Sequence, residues 1–286
     1  HPAMKLQHRL ERIQRGDISV IPWPWTQVSQ LAPSLLPGSV SVLAGSPGAS
    51  KSFAILQCLN FWVGNLVQAS VLMLEGTQAE HCQRLLAQLD ANCNLTDLEW
   101  LKVNAKDANE AAERHFKRID EVGQCIYEAG SINTYMDVLN WIEERCWAKD
   151  RIVVVDPITS ADPGGRQWEQ DRMVVTTVHK LAEKYSTSIV FVSHPVKGFE
   201  RPSLDSLAGG AAYQRHVDLV LWLEATEPKT VTVAGMCGRH ETEIDRVMHL
   251  LKVRHGHGQG KKIGFGFDVQ SLSLAEQGLI LKDMKQ

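Results

Sequence analysis

The octapeptide GSPGASKS, residues 45–52, decides how the rest of the sequence is interpreted. It follows the phosphate-binding pattern G-x-x-x-x-G-K-[ST], except that Ser50 occupies the position of the second glycine. In such a loop consecutive backbone N–H groups face a phosphate, and the dipole of the following helix adds to the attraction. Ser50 retains its N–H and loses only the conformational freedom of glycine. We therefore expect nucleotide binding with weakened or retuned affinity.

The flanking sequence gives the loop the context that this motif requires. SVSVLAG (39–45) is typical of a buried strand, and KSFAILQCLNFWVGNL (51–66) predicts a helix that is apolar on nearly all sides. Lys51 is expected to reach the β- and γ-phosphates of ATP, and Ser52 to ligate Mg²⁺. The residues expected to surround the nucleotide are Gly45, Ser46, Pro47, Gly48, Ala49, Ser50, Lys51, Ser52 and Phe53. The alternative is a Gly/Ser loop that only turns the chain.

Composition is that of a globular protein. The chain has 286 residues, 44% of them hydrophobic and 22% charged, with a formal net charge of −3. This length can bury the core of one large domain. The charge argues against a histone-like binder, so any nucleic acid must be held by local basic loops. Six scattered cysteines without a C-x-x-C pair indicate reduced thiols in a cytoplasmic protein, and no apolar run is long enough to predict a membrane span.

Short β-branched runs alternate with helical stretches from residue 37 onward, which is typical of βαβ units in a parallel sheet. Further predicted strands are SVLMLEG (70–76), RIVVVD (151–156), SIVFVSH (188–194) and VDLVLWLE (217–224). The last third, with TVTVAG, VMHLLKVRHG and KKIGFGFD, is typical of an antiparallel extension. We predict an α/β P-loop NTPase domain over residues 37–286, with a mostly parallel central sheet flanked by helices. Residues 1–36, which contain IPWPW (21–25), are predicted to form an N-terminal arm or linker.

Two acidic residues and one histidine follow predicted strands at the edge of the sheet that carries the loop. Asp156 ends RIVVVD, where a carboxylate can hold hydrated Mg²⁺, and Glu75 ends SVLMLE as the candidate catalytic base. His194 closes SIVFVSH and is the candidate sensor of the γ-phosphate. For each acid the alternative is a strand-end residue that caps the next helix. For His194 the alternative is a histidine satisfied by its own fold.

In the order of these pieces the chain resembles the RecA-like core of hexameric replicative DNA helicases, the DnaB-type and the related phage, mitochondrial and plasmid enzymes. The resemblance covers about residues 37–267 and rests on LPGSVSVLAGSPGASKS, VLMLEGTQAEHCQRLLA, RIVVVDP, SIVFVSHPVKG, LAGGAAYQRHVDLVLWLE and LLKVRHGHGQG. Glu75 and Arg84 match the family's acidic residue and following arginine. Lys252 and Arg254 match its K-x-R pair, which in the family reaches the γ-phosphate of the neighbouring subunit. The resemblance thus implies a homo-oligomeric, hexameric ring.

The resemblance also has departures. Ser50 interrupts the phosphate loop, and an amino-terminal primase or collar-like domain of the usual size is missing from the sequence. The second departure suggests either a motor that works alone or an excised helicase domain. The family further implies a role in replication, with primase or other replication proteins as partners.

Two loops are predicted to face single-stranded DNA, because in the resembled core the loops after the later strands line a central channel. They are residues 159–172 and 195–215. The candidate contacts with DNA phosphates are Arg166, Lys197, Arg201, Gly209 and Gly210. Contacts of this kind are independent of base sequence, which suits a translocating motor. Mobile surface loops without a ligand are the alternative.

The sequence leads to one principal function and two alternatives. The first is an ATP-driven, ring-forming DNA helicase or translocase. The others are a recombinase-like or regulatory DNA-binding ATPase that does not unwind DNA, and a scaffold that binds nucleotide but hydrolyses it weakly because of Ser50. The presence of Lys51, Ser52, Glu75, Asp156 and Arg254 favours hydrolysis.

Overall fold

The fold is built on one mixed sheet. The computed structural model describes residues 1–281 except Lys197, Phe199, Glu200, 208–212, Gln214 and Cys237, and except the side chains of Gln167 and Trp168. Within these residues the sheet has nine strands in the order β3-β2-β4-β5-β1-β6-β7-β8-β9. The strands are β1 (Val40–Ala44), β2 (Ala69–Met73), β3 (Ile126–Glu128), β4 (Ile152–Asp156), β5 (Ser188–Ser193), β6 (Leu219–Gly235), β7 (Gly238–Val253), β8 (Lys262–Asp268) and β9 (Ser273–Ile280).

The sheet is parallel from β3 to β6 and antiparallel from β6 to β9. This confirms the predicted α/β fold with an antiparallel C-terminal extension. Two strands are longer than predicted. β6 continues beyond residue 224 to Gly235, with a register irregularity between Ala225 and Lys229, and β7 begins at Gly238, before the stretch VMHLLKVRHG. The stretch TVTVAG therefore extends a strand that had already begun, and the strand after it, β7, returns beside it.

Helices cover both faces of the sheet. They are α1 (Pro2–Gln14), α2 (Thr26–Leu31), α3 (Lys51–Gly64), α4 (Gln78–Asp90), α5 (Leu98–Val103), α6 (Ala105–Gly123), α7 (Tyr135–Trp147) and α8 (Gln167–Tyr185). Side chains of α3, α4 and α6 share one core with one face, and those of α7 and α8 share a second core with the other face. The buried strands supply both cores alternately; in β4, Val154 belongs to the first, and Val153 and Val155 to the second.

The N-terminal segment contributes to the first core. Ile21, Trp23, Trp25, Val28 and Leu35 are each at most 3% exposed and belong to the same cluster as α3. The indole of Trp62 in α3 donates a 2.8 Å hydrogen bond to the carbonyl of Pro22. In contrast, α1 has no buried residue. Residues 21–35 thus pack as part of the domain; the boundary between 36 and 37 stays a prediction.

Two further observations relate to composition. Among the described residues, no helix is long and apolar enough to cross a membrane. Cys58, Cys82, Cys93, Cys125 and Cys146 are free thiols, as the absence of C-x-x-C pairs indicates, and Cys237 lies outside the described residues.

Candidate active site

The phosphate loop lies between the end of β1 and the start of α3. A Cβ at Gly45 would collide with the carbonyl of Leu223 in β6, so glycine is needed where the loop leaves the sheet. Ser50, directly before α3, has φ 70° and ψ 23°, which is the left-handed region. A non-glycine residue adopts this conformation at a cost of about 1 kcal/mol. Ser50 therefore takes the backbone shape expected of the missing glycine.

Lys51 lies inside the loop and is only 5% exposed. Its Nζ donates to the carbonyl oxygens of Gly45 at 2.7 Å and Ser46 at 3.0 Å, and lies 3.3 Å from Nδ1 of His194. Burial lowers the Lys51 pKa to about 8, against the opposing effect of the carboxylates of Asp156 and Glu75. This ammonium group is already largely removed from bulk water, so it is well suited to binding a phosphate anion.

Asp156 is the last residue of β4 and is 3% exposed. Burial raises the pKa of its carboxyl to about 6, although the Ser52 hydroxyl, which donates a hydrogen bond to it, and the Lys51 charge lower it. Its Oδ2 is buried and has no hydrogen-bond partner among the described residues. A buried carboxylate oxygen left without a partner indicates that a cation or donor belongs there.

The residues around Asp156 fit a magnesium ion bound together with its nucleotide. A cavity of about 100 Å³ lies between Ser52, Glu75 and Asp156. Within the described part of the chain, no group of three or more His, Cys, Asp or Glu side chains forms a metal cluster. Mg²⁺ is usually bound by one or two protein oxygens, with phosphate oxygens and waters as its other ligands. Ser52 and Asp156 supply that number of protein oxygens.

Glu75 lies two residues beyond the end of β2, so the strand is shorter than SVLMLE suggested. Its side chain is exposed at the same edge of the sheet as the loop. Ser160 donates a 2.6 Å hydrogen bond to Oε1 of Glu75, and Nε2 of His81 lies 2.8 Å from the Glu75 carbonyl oxygen. Neither partner was identified from the sequence, because a serine in a polar loop and a histidine on a helix carry no spacing signal.

His194 follows β5 directly and is close to Lys51. Burial and, secondly, the Lys51 charge lower the pKa of its imidazole. The ring is therefore neutral near pH 7, and its Nδ1 can accept from Lys51. Its role as a sensor of the γ-phosphate stays a prediction.

One cleft joins most of the predicted residues. It has a volume of about 320 Å³ and lies above the start of α3. Its lining includes Pro47, Gly48, Ser50, Lys51, Ser52, Phe53, Glu75, Arg84, Asp156 and His194. The cleft thus brings together the loop, both acids and the histidine, as the order of the strands predicted.

Lys252 and Arg254 lie at the opposite edge of the sheet. Val253 pairs with Leu219 in β6, and Leu219 pairs with Ser41 near the start of β1. The loop begins four residues after Ser41, or roughly 13 Å along the strand. Arg254 donates a 2.8 Å hydrogen bond to Oδ1 of Asp218, and 44% of its side chain is exposed. It does not join the cleft of its own chain.

The predicted DNA contacts are only partly described. Arg166 is exposed at the start of α8 and lies 3.8 Å from Glu169. Arg201 lines a cleft of about 550 Å³ together with Lys261 and Lys262. Lys197, Gly209 and Gly210 lie outside the described residues. The assignment of all five to DNA stays a prediction.

Comparison with known proteins agrees with the fold. The chain is similar to a solved structure described as an ATPase domain, at 15% identity and a TM-score of 0.73, covering 96% of this chain and 98% of that one. It is also similar to a DnaB-like replicative helicase whose structure was solved with its interactions with primase, at 16% identity and a TM-score of 0.66. That match covers 92% of this chain and 63% of the helicase. No curated protein matches the sequence.

These likenesses confirm the RecA-like α/β fold that the sequence motifs suggested. The family described as AAA domain matches residues 7–199, which include the phosphate loop, Glu75, Asp156 and His194. The match supports an ATPase. The chain belongs to the AAA domain family.

Proposed function

We propose that this protein is an ATP-driven motor that moves along single-stranded DNA as a homo-oligomeric ring, with Mg²⁺ as its ion and active sites shared between subunits. A helicase that unwinds DNA during replication, in the cytoplasm, is the function that agrees best with the fold. Primase is a candidate partner, because the DnaB-like helicase of similar fold interacts with one.

Each residue of the cleft has a separate proposed role in phosphoryl transfer. The Lys51 ammonium and the N–H groups of the loop bind and orient the phosphates. Ser52 and Asp156 would hold Mg²⁺, which when bound neutralises charge on the phosphate oxygens. Glu75 orients the attacking water and accepts its proton, with its carboxylate fixed by Ser160. His194, which contacts Lys51, would sense the terminal phosphate.

The position of Arg254 is the observation that carries the proposal of a ring. Its guanidinium lies at the sheet edge away from Lys51, so it can reach a γ-phosphate only on another chain. It is also partly exposed and therefore accessible to a neighbour. An arginine supplied by a second subunit raises the rate of phosphoryl transfer by roughly 10³- to 10⁵-fold.

The proposal is tested by measuring ATP turnover with and without single-stranded DNA, beside an assay of forked-duplex unwinding. We expect turnover that depends on Mg²⁺, rises with single-stranded DNA and accompanies unwinding. Turnover stimulated by DNA without unwinding would support the regulatory or recombinase-like ATPase instead. ATP binding without turnover would support the scaffold.

A further inference from the structure

A row of four side chains connects the phosphate loop with the antiparallel end of the sheet. The Arg84 guanidinium lies 5.9 Å from the ring centroid of Phe53, and the Phe53 and Phe267 rings lie 5.9 Å apart. On the other side of Phe267, the Arg246 guanidinium lies 5.1 Å from the ring centroid. Arg246 ends the row at the loop, because its Nη2 donates a 3.3 Å hydrogen bond to Oγ of Ser50.

Arg246 is held firmly in place. It lies within β7, between Ala225 of β6 and Phe265 of β8. Its side chain is 14% exposed, and Nη1 donates to the carbonyl oxygen of Asp245 at 2.9 Å and to the carboxylate of Asp245 at 3.1 Å. Asp245 also accepts a 2.8 Å hydrogen bond from the N–H of Phe267. A guanidinium with these contacts has little freedom to leave Ser50.

The backbone conformation of Ser50 suggests a role for this contact. It is a serine in the left-handed region, which side chains disfavour. Its hydroxyl caps no N–H of α3 within the described residues and instead accepts from Arg246. If Ser50 relaxed to negative φ, the peptide groups on either side of it would turn, and the N–H groups that face the phosphate would turn with them.

We propose that Arg246 is a positioning residue for the nucleotide: by holding Oγ of Ser50, it keeps a serine in the conformation that a phosphate loop usually obtains from glycine. This inference rests on the proposed function, since it concerns the same site. It assigns Arg246 to the loop, because its guanidinium donates to Oγ of Ser50. In this proposal, Ser50 and Arg246 together give the loop the conformation that glycine usually provides.

The test measures Mg²⁺–ATP affinity by calorimetry in a double-mutant cycle. Ser50→Ala removes only the hydroxyl, and Arg246→Met keeps an apolar stem against Phe267. We expect each change to weaken binding by about tenfold, which is the effect of one hydrogen bond to a charged group. The Ser50→Ala/Arg246→Met double variant should bind no worse than either single variant.

Glycine provides the second half of the test. Ser50→Gly should bind ATP as tightly as the parent or more tightly, because glycine takes the left-handed conformation without a side-chain contact. In the Ser50→Gly background, Arg246→Met should change affinity by less than about twofold. A change of that size is expected when two substitutions do not interact. If Arg246 served only to stabilise the antiparallel extension, glycine at position 50 would not restore the ATP affinity lost in Arg246→Met.

Arg239→Met is the matched control, since Arg239 is an exposed arginine on the same strand, and it should leave affinity unchanged. The inference is overturned if Arg246→Met binds ATP like the parent, or if its loss of affinity persists in the Ser50→Gly background. If Arg246→Met does not fold, Ser50→Ala with parental affinity overturns it equally. A folded parent that binds no ATP would instead overturn the proposed function, and this inference with it.

Discussion

Ser160 and Glu75 are joined by a 2.6 Å hydrogen bond from the serine hydroxyl to Oε1 of the carboxylate. The bond links the turn after β4 to the segment after β2, which are neighbouring strands in the sheet. Glu75 is exposed, so burial alone does not fix the direction of its carboxylate. We infer that Ser160 sets the orientation in which Glu75 meets the attacking water.

Replacing Ser160 with alanine should lower kcat for ATP by about tenfold and leave KM unchanged, because the lost hydrogen bond is made to the proposed base and not to a group proposed to hold the phosphates. Ser160→Thr, which keeps a hydroxyl, should retain most of the activity. Glu75→Gln should lower kcat further with ATP binding intact, since an amide cannot accept the proton. If Ser160→Ala raised KM and left kcat unchanged, the serine would act on binding and not on the base.

Replacing Lys51 with alanine should abolish measurable ATP binding, because the buried cation of the loop is lost. Equilibrium dialysis or calorimetry measures the effect directly. Lys261→Ala is a suitable control, since Lys261 lies outside the nucleotide cleft. Parental affinity in Lys51→Ala would contradict the assignment of the loop.

Replacing Asp156 with asparagine should stabilise the protein in the absence of Mg²⁺ while it abolishes turnover. The carboxyl pKa is raised from 3.8 to about 6 in the folded chain, so between these values the folded state binds more protons than the unfolded state. The free energy of unfolding of the parent therefore falls as pH rises from about 4 through the folded pKa of about 6, and the destabilisation is nearly complete about one pH unit above that pKa. Asparagine removes this effect.

Urea unfolding in EDTA at pH 4.5, 6 and 7.5 checks the Asp156 prediction. The variant should exceed the parent by up to roughly 3 kcal/mol at pH 7.5, with a smaller difference at pH 4.5. Burial would not destabilise the Asp156 carboxylate if the variant were less stable than the parent at pH 7.5. The same would follow if the difference in stability between variant and parent did not change with pH.

Replacing Arg254 with alanine should preserve ATP binding and lower turnover by roughly 10³-fold or more. Mixing this variant with Glu75→Gln should restore part of the activity. Some interfaces of the mixed ring then combine an intact Glu75 from one protomer with an intact Arg254 from the other. Lack of rescue despite proven subunit exchange would contradict the shared site.

The ion pair between Arg254 and Asp218 offers a control for the Arg254 experiment. Asp218→Asn breaks the pair within the chain but leaves the arginine available to a neighbour. We expect it to retain most of the turnover. If it reproduced the loss seen in Arg254→Ala, Arg254 would serve the structure of its own chain.

Deletion of residues 1–17 and deletion of residues 1–36 should have different effects. The first removes α1, which has no buried residue, and should change the thermal midpoint little. The second also removes Ile21, Trp23, Trp25 and Leu35 from the core. Each such side chain contributes about 1.5–3 kcal/mol, so their sum is comparable with the whole stability of a domain. Cooperative unfolding of the shorter chain would show that the arm is separable.

The parallel half of the fold could be predicted from the sequence, because buried parallel strands are continuous apolar runs and their ends carry polar residues. Asp156 and His194 were located in this way. The role of the tryptophans in residues 21–25 was missed, since the prolines between them indicated a linker. Large aromatic side chains so close together nevertheless need a core to cover them.

The contact between Arg246 and Ser50 could not be predicted, because it depends on the pairing of β6 with β7. The irregularity between Ala225 and Lys229 shifts the register, so counting along the sequence does not give the partner of Arg246. Ser160 was missed for a different reason. Its hydrogen bond depends on β2 and β4 being neighbours in the sheet, and the local sequence pattern does not predict the order of the strands.

The position of β1 also determines when the active site forms during synthesis. β1 is the first strand of the chain, but its neighbours are β5 and β6, which begin at Ser188 and Leu219. Contacts between residues so distant in sequence form late in folding, because the long intervening chain must be ordered first. Gly45 also packs against Leu223, so the phosphate loop acquires its shape only once β6 has been made. A nascent chain that ends before β6 should therefore be unable to bind ATP.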